Sequence, residues 1–252
     1  MSHYQSYILC TSPRSGSTLL CRLLAATGKS GIPDSHFHSP SISDWMRYYD
    51  IDADNTKTEH DLLSEIFQAA RFRGTGNTGM FGLRMQRQSF GYFIKKLCVL
   101  INCCSSDSER IQTLFGRTQF IHLTRENKLE QAISYVKASQ TGLWHQARDG
   151  TELERLSARK SPYYSADEIE RKLKDFTDMD EGWESWFVDE GLNPLRICYE
   201  DLSNDPLGVT GQLLEYLGLN RKLSIGLELP VAKLADETNS YWASRFRSDN
   251  RI

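Results

Sequence analysis

The stretch YILCTSPRSGSTLL, from Tyr7 to Leu20, constrains the fold more than any other part of the chain. Its first residues form an apolar run typical of a buried strand, and its last residues are typical of a helix. A short polar loop that contains Gly16 joins the two. Backbone N–H groups and the positive end of a helix dipole converge at such a loop, so the pattern predicts an anion site.

The alternation of strand and helix continues along the chain. Further strands are predicted at 80–85, 118–124 and 194–199, and further helices at 57–71, 89–101, 126–140, 165–190 and from Asp205 onward. This order predicts an α/β fold of three layers, with a central, mostly parallel sheet of four to five strands flanked by helices. The 252 residues are predicted to form a single domain, 1–252, with the polar segment 142–164 as a loop or lid insertion.

Composition excludes several classes of protein. A net charge of −3 argues against a nucleic-acid partner, because phosphate backbones are bound by a basic surplus. No apolar run approaches the ~18 residues of a membrane span, and the first residues lack the features of a signal peptide. The six cysteines include no C-x-x-C pair. We therefore expect reduced thiols, no bound metal and a cytoplasmic location.

The loop itself offers several donors for an anion. Arg14 brings a planar guanidinium, Gly16 allows a close backbone approach, and the hydroxyls of Ser15, Ser17 and Thr18 can donate. In the nucleotide-triphosphate motif G-x-x-x-x-G-K-[ST], a lysine stands where this chain has Ser17. The missing lysine argues against a kinase, and a plain strand–helix turn is the structural alternative.

A second anion-binding feature follows the predicted strand 118–124. Arg125 ends this strand, and Ser134 lies nine residues further on, within a predicted helix. Both are expected near the carboxyl end of the sheet, where ligands of α/β folds bind. An arginine and a serine hydroxyl suit a phosphate, although an arginine at a strand end is also a common ion-pair partner.

Together these features resemble sulfotransferases that use 3′-phosphoadenylyl sulfate (PAPS), and most closely their Stf0 family. The motifs that carry the resemblance are SPRSGSTLL, ATG with a later G and P, FGLRM, HLTRENKLEQAISYVKASQTGLW, EGWESWF and RICYEDL with a later DP. They extend from about Tyr7 to Arg245 and keep their order. Several ordered motifs make this resemblance far more specific than the loop alone.

The resemblance implies a P-loop-like fold and transfer of a sulfuryl group from PAPS to a hydroxyl of a carbohydrate, glycolipid or other small metabolite. It implies that Arg14, Ser15, Gly16, Ser17 and Thr18 hold the 5′-phosphosulfate and that Arg125 and Ser134 hold the 3′-phosphate. The chemistry requires no metal, and members of the family are often homodimers. A small-molecule kinase and a catalytically inactive nucleotide-binding protein are the alternatives.

The catalytic base is less directly indicated. The family pattern has a glutamate two or three residues after a proline beyond the first helix, and Ser35 of the segment GIPDSHFHSP stands at that position. Asp34, His36 and His38 are the candidates. We favour His36, because an imidazole with a pKa near ~6.5 suits proton transfer at neutral pH. Arg14 is expected to stabilise the leaving oxygen during catalysis.

Other side chains have two interpretations, as packed residues or as part of the acceptor pocket. The aromatic and polar candidates near the expected mouth are Trp45, Tyr48, Tyr49, Trp144 and His145. Arg84 is either a strand-end ion-pair partner or a contact to the sulfate or the acceptor. Tyr199, after the last predicted strand, is either structural or part of the nucleotide site.

Overall fold

The computed structural model of the protein describes residues 4–52, 56–147, 149–232 and 234–250. Its main elements, in chain order, are β1 (Ser6–Thr11), α1 (Ser17–Ala26), α2 (Ile42–Tyr49), α3 (Glu59–Thr75), β2 (Phe81–Gln86), α4 (Arg87–Leu100), α5 (Asp107–Phe115), β3 (Thr118–Thr124), α6 (Lys128–Thr141), β4 (Leu143–Gln146), β5 (Glu152–Arg155), α7 (Ala166–Asp189), β6 (Leu195–Cys198), α8 (Tyr199–Asn204), α9 (Pro206–Tyr216) and α10 (Glu237–Asn250).

Four strands form one parallel sheet in the order β2–β1–β3–β6. All six residues of the inner strand β1 are buried. Parallel neighbours require crossover connections, and helices on the two faces of the sheet supply them. The predicted α/β fold, with a central parallel sheet of four to five strands flanked by helices, is therefore confirmed with four strands.

Alternate residues of β1 face two different cores. Ile8 and Cys10 belong to a core shared with α3, α4 and α7, whereas Tyr7 and Leu9 belong to a core shared with α1 and α9. A period of two is what a strand covered on both faces requires. A third cluster packs α6 against α7 and α10, and it fixes the helix that carries Ser134.

The carboxyl ends of the four strands lie along one edge of the sheet. These ends are Thr11, Gln86, Thr124 and Cys198. Ligands of open α/β sheets bind outside this edge. Each predicted site residue therefore has to be placed relative to it.

The segment 142–164, predicted as a loop or lid, contains an antiparallel hairpin made of β4 and β5. Each strand has only four residues, and the pairing register shifts twice. A hairpin this short and irregular lacks the sustained alternation by which strands are predicted. The prediction also omits α2, α5 and α8, which are short, and α10, which is largely polar.

Three further observations concern the class of protein. The six cysteines are free thiols. Among the described residues, no helix has both the length and the apolar composition needed to cross a membrane. Within the same residues, no group of three or more His, Cys, Asp or Glu side chains is arranged to hold a metal ion.

Candidate functional site

The loop between β1 and α1 has a backbone that few residue types adopt. Arg14 has a φ of 63° and Gly16 a φ of 82°, both in the left-handed region. A Cβ at Gly16 would lie 2.5 Å from Cδ2 of Tyr199, closer than real Cβ atoms come. Gly16 precedes α1, and no side chain of the described residues caps that helix. The first N–H groups of α1 and the positive end of its dipole therefore remain for an anion.

Hydrogen bonds from α6 and α7 hold this loop in place. Nε2 of Gln131 on α6 donates to Ser12 Oγ at 2.9 Å and to the Pro13 carbonyl at 2.7 Å. The Ser12 hydroxyl donates to Asp180 on α7 at 3.2 Å, and Asp180 also pairs with Lys128 at 2.5 Å. Two helices that follow much later in the sequence thus fix the shape of the loop.

A cavity of about 520 Å³ opens beside the loop. The charged side chains that line it, among the residues described, are three arginines and one carboxylate: Arg14, Arg84, Arg125 and Glu154. A chain with a net charge of −3 thus concentrates positive charge at one place, as an anion site requires. Its apolar wall comes from the irregular segment before α10, with Leu229, Val231, Ala232, Leu234 and Ala235.

Arg14 contacts Ser134, which the resemblance to sulfotransferases assigns to the 3′-phosphate. Its Nε donates to Ser134 Oγ at 3.0 Å, and Nη1 donates to the Trp144 carbonyl at 2.6 Å. Burial lowers the pKa of Arg14 to about 10, and repulsion from Arg125 adds to the shift. Arg14 keeps its charge at neutral pH. An anion bound between the two guanidinium groups would relieve their repulsion.

Arg125, at the end of β3, is 8% exposed. Its guanidinium carbon lies 4.6 Å from the centroid of the Tyr199 ring, and Nη1 lies 3.5 Å from the Arg14 carbonyl oxygen. Its Nε has no hydrogen-bond partner within the described part of the chain. Burial lowers the pKa of this guanidinium. A buried cation with an unpaired donor fits the predicted phosphate, which supplies both an acceptor and the opposite charge.

Arg84 connects α1 with the segment that follows it. Its Nε donates to Ser35 Oγ at 2.9 Å, Nη1 donates to Thr18 Oγ1 at 2.8 Å, and Nη2 donates to Asp34 Oδ1 at 2.9 Å. Of the two interpretations offered for Arg84, the ion pair is present, and a contact to the sulfate or the acceptor stays a prediction. It forms an ion pair with Asp34, and it also lines the cavity.

The candidate bases of the segment 34–38 do not themselves line the cavity. His36 is 2% exposed, and its Nε2 lies 3.1 Å from the Ile32 carbonyl oxygen. Burial lowers the pKa of this imidazole. Asp34 pairs with Arg84, and His38 is exposed. Among the described lining residues none is Asp34, His36 or His38, and the role of His36 as base stays a prediction.

His145 on β4 lies inside the cavity. Its Nε2 is 3.1 Å from Thr18 Oγ1 and 3.4 Å from Glu154 Oε2 on β5. Burial lowers the pKa of His145 to about 3, and repulsion from Arg14, Arg84 and Arg22 adds to the shift. The imidazole is therefore neutral over the whole physiological range of pH.

The aromatic candidates divide between core and cavity. Trp45 is fully buried and Tyr49 nearly so, and both belong to the core beside α3 and α4. Trp144 lines the cavity together with His145, and its ring lies 5.2 Å from that of Tyr135. Tyr199 lines the cavity as well. Core packing thus explains the aromatics of α2, whereas those of the hairpin face the site.

Several cavity residues have no signal in the sequence. Glu154 and the wall 229–235 come from a short hairpin and an irregular segment, and neither carries a periodic pattern. Gln86 ends β2, and its Oε1 has no partner among the residues described. Its position at a strand end, next to FGLRM, is the one signal that would have indicated it.

Comparison with known proteins places these features in a family. The Stf0 sulphotransferase family model matches residues 6–249. The trehalose 2-sulfotransferase of Mycobacterium tuberculosis is 26% identical, over 96% of this chain and 94% of the relative. That of Mycolicibacterium smegmatis is 27% identical, over 98% and 96% respectively. A sulfotransferase structure from Alicyclobacillus acidocaldarius aligns with a TM-score of 0.44 and 14% identity, over all of this chain and 97% of that one.

Proposed function

The chain belongs to the Stf0 sulphotransferase family and is a sulfotransferase, and from this premise we propose that it takes its sulfuryl group from PAPS and transfers it to a hydroxyl of a carbohydrate, glycolipid or other small metabolite. The finer parts of this proposal are the donor, the acceptor class and the role of each residue.

One observation carries the choice of donor. Arg125 is buried beside the anion loop, and its Nε is without a partner among the described residues. Arg125 already pairs with Glu130 at 4.0 Å through Nη2, so the open group is its Nε. A nucleotide with a phosphate on its 3′-oxygen would supply an acceptor for this donor, whereas ATP, which has no 3′-phosphate, would leave it unsatisfied. The loop also lacks the lysine that a nucleotide triphosphate requires.

The residues of the site then have distinct tasks. When bound, the donor supplies the sulfuryl group and a 5′-phosphate as leaving group. The N–H groups at the start of α1, with Ser15, Gly16, Ser17 and Thr18, would hold the 5′ end, and Arg125 with Ser134 the 3′-phosphate. Arg14 stabilises the negative charge that develops on the leaving oxygen. No step in this scheme calls for a metal.

The acceptor is proposed to be a carbohydrate, with trehalose as the first compound to test. Both curated relatives are named for sulfation of trehalose, and the alignments cover nearly the whole of each protein. The aromatic residue Trp144 lines the cavity, and sugar rings pack well on aromatic faces. The homodimer, the cytoplasmic location and the single domain 1–252 stay predictions.

Calorimetric titration of the purified protein with adenosine 3′,5′-bisphosphate tests the donor. We expect binding that is unaffected by EDTA and weakened about 10- to 100-fold in Arg125→Ala, because a charge-assisted bond contributes about 1.5–3 kcal/mol. Adenosine 5′-monophosphate is the matched ligand, since it has no 3′-phosphate and should bind wild type and Arg125→Ala about equally. Circular dichroism confirms that the variant is folded.

Two results would contradict the proposal. Magnesium-dependent binding of ATP without binding of the bisphosphate would favour a small-molecule kinase. Bisphosphate binding without sulfuryl transfer from PAPS to trehalose or to a panel of other sugars and glycolipids would favour a catalytically inactive nucleotide-binding protein.

A further inference from the structure

His145 is the imidazole that the fold brings to the anion site. It lines the cavity with Arg14, Thr18 and Arg84, and these residues come from the loop, from α1 and from β2. Through its contact with Thr18, His145 adjoins the start of α1, where the transferred group would be held. The inference that follows rests on the proposed function.

The Thr18 hydroxyl lies between Arg84 and His145. Arg84 donates to Thr18 Oγ1 at 2.8 Å, and Nε2 of His145 lies 3.1 Å from the same oxygen. Because Oγ1 has a second lone pair and one hydrogen, this contact fits either tautomer of the imidazole. Action as a base at Nε2 requires the tautomer in which Thr18 donates, so that Nε2 carries the lone pair and Nδ1 the hydrogen.

The surroundings of His145 favour a neutral imidazole in the free protein and stabilise a protonated one during the reaction. The charged groups that face it are Arg14 from the loop, Arg22 from α1, Arg84 from β2 and Glu154 from β5. The three guanidinium groups oppose protonation. Anionic groups bound among them would offset this repulsion, and the Glu154 carboxylate, 3.4 Å from Nε2, would then stabilise the imidazolium.

The alternatives in the segment 34–38 are less well placed. Oδ1 of Asp34 is already engaged, because it accepts hydrogen bonds from Arg84 and from the Ser35 amide. His36 is packed between the core and the Ile32 carbonyl. To reach the cavity, His36 would have to leave a buried position, whereas His145 already lines it and has only to exchange its contact with Thr18 for one with the acceptor hydroxyl.

We propose that His145 is the general base of the reaction and that its Nε2 takes the proton of the acceptor hydroxyl. As the acceptor oxygen forms its bond to sulfur, the bond between sulfur and the 5′-phosphate oxygen breaks, and that oxygen keeps the electron pair. The proton moves to Nε2, and the imidazolium later releases it to water. Glu154 acts through His145 and is a positioning residue.

The first test compares two histidine variants. His145→Gln keeps a polar group near Thr18 but cannot take a proton, and His60→Gln changes an exposed histidine on α3 as the matched control. We expect His145→Gln to bind adenosine 3′,5′-bisphosphate within about threefold of wild type. Its single-turnover transfer from PAPS to the accepted sugar should fall about 100-fold or more, as for loss of a general base. His60→Gln should match wild type in both measurements.

A second measurement does not depend on turnover. In protein labelled with ¹⁵N-histidine, the imidazole nitrogens of His145 should show an unprotonated Nε2 at pH 7, with and without the bisphosphate. Titration should show the pKa of His145 rising when the bisphosphate is added. For Glu154→Gln we expect a lower pKa of His145 in the complex and a lower turnover number, with the affinity for the bisphosphate unchanged.

The outcomes separate this inference from the proposed function. Transfer by His145→Gln within about tenfold of wild type would overturn the role of His145, and so would a hydrogen on Nε2 at pH 7 in the complex. Loss of transfer in His36→Gln together with its retention in His145→Gln would restore His36 as base. Failure of the wild type to bind the bisphosphate would instead defeat the proposed function.

Discussion

The two sides of the cavity are built in different ways. The proposed donor side consists of the loop between β1 and α1, with Arg125 behind it, and Gln131 of α6 and Asp180 of α7 hold this loop by hydrogen bonds. The proposed acceptor side consists of the hairpin β4–β5, whose strands have four residues each and whose pairing is irregular. All eight residues of the hairpin are at least partly exposed.

This difference suggests a division of labour. A donor that is the same for a whole family favours a rigid site, in which donors for two anionic groups are held before the ligand arrives. A short surface hairpin, by contrast, can change in sequence without disturbing the core. The hairpin reaches the donor side chiefly through Arg14 and Thr18, which contact Trp144 and His145 respectively. The predictions below test whether the two sides can be disturbed separately.

The largest effect is expected from Gly16→Ala on the donor side. The new Cβ would meet the Tyr199 ring at 2.5 Å, and the φ of 82° would be strained for alanine. The loop must move, and two or more N–H contacts to the anion are lost. We expect the affinity for adenosine 3′,5′-bisphosphate to fall about 100-fold or more in calorimetry.

Gly28→Ala is the matched control for this variant. Gly28 has a similar φ of 64°, but nothing lies within 4 Å of its Cβ position. It therefore reproduces the backbone strain without the collision. Similar losses of bisphosphate affinity in the two variants would show that general destabilisation, not the shape of the loop, decides binding.

A smaller effect, on stability, is expected from Gln131→Ala. This variant removes the two hydrogen bonds from Gln131 to the loop, and it leaves the buried Ser12 hydroxyl and the half-buried Pro13 carbonyl without this donor. We expect the free energy of unfolding to fall by about 1–3 kcal/mol in urea denaturation. Gln140→Ala, on the same helix but paired with Glu168 near the surface, should cost clearly less. Equal losses would mean that Gln131 does not hold the loop.

The same contrast explains how far the sequence predicts the molecule. The donor side lies within continuous segments: a strand, a loop and a helix in one stretch, and Arg125 with Ser134 in another. Local pattern is sufficient there to predict the strands, loop and helices that carry these residues, and their role in binding stays a prediction. The contacts of Gln131 and Asp180 with the loop join residues more than 110 positions apart, and no local pattern reports them.

Acceptor-side residues are harder to predict for a physical reason. His145 and Glu154 reach the cavity because two short strands pair in an irregular register, and register is a tertiary property. His36 attracts attention in the sequence because it follows the first helix in GIPDSHFHSP, yet packing against Phe81 and the Ile32 carbonyl keeps it buried. Proximity along the chain indicated one histidine, and the fold brings another to the site.

A moderate and selective effect is expected from Gly142→Ala, which disturbs the acceptor side alone. Gly142 ends α6 with a φ of 74°, and a Cβ there would lie 2.5 Å from the backbone oxygen of Ser157. The hairpin must shift, so we expect the KM for the acceptor to rise about tenfold. The affinity for the bisphosphate should change by no more than about threefold. A loss of bisphosphate affinity as large as that of Gly16→Ala would show that the two sides are one unit.

The smallest effect is a pH dependence of stability that comes from the acceptor side and not from the donor side. The donor side relies on arginines, and even Arg14, with its pKa lowered to about 10, keeps its charge between pH 5 and 8. On the acceptor side, burial and the guanidinium groups of Arg14, Arg84 and Arg22 lower the pKa of His145 to about 3. An unfolded histidine takes up a proton near pH ~6.5, whereas folded His145 stays neutral well below that pH. Unfolding therefore binds a proton, and the free energy of unfolding should fall as the pH decreases from about 6.5 towards 3.

Urea denaturation at several pH values measures this dependence. Burial also lowers the pKa of His36 and His122, so the His145→Gln variant should show a shallower fall in stability and not a flat one. His60→Gln should keep the wild-type dependence. If His145→Gln keeps it too, then His145 is not held neutral by its neighbours, and the electrostatic contrast between the two sides is wrong. A further outcome concerns the bisphosphate. If it makes the pH dependence of wild-type stability shallower but leaves that of His145→Gln unchanged, then the anion acts on the guanidinium groups that face His145. The donor side would in that case control the protonation of His145 on the acceptor side.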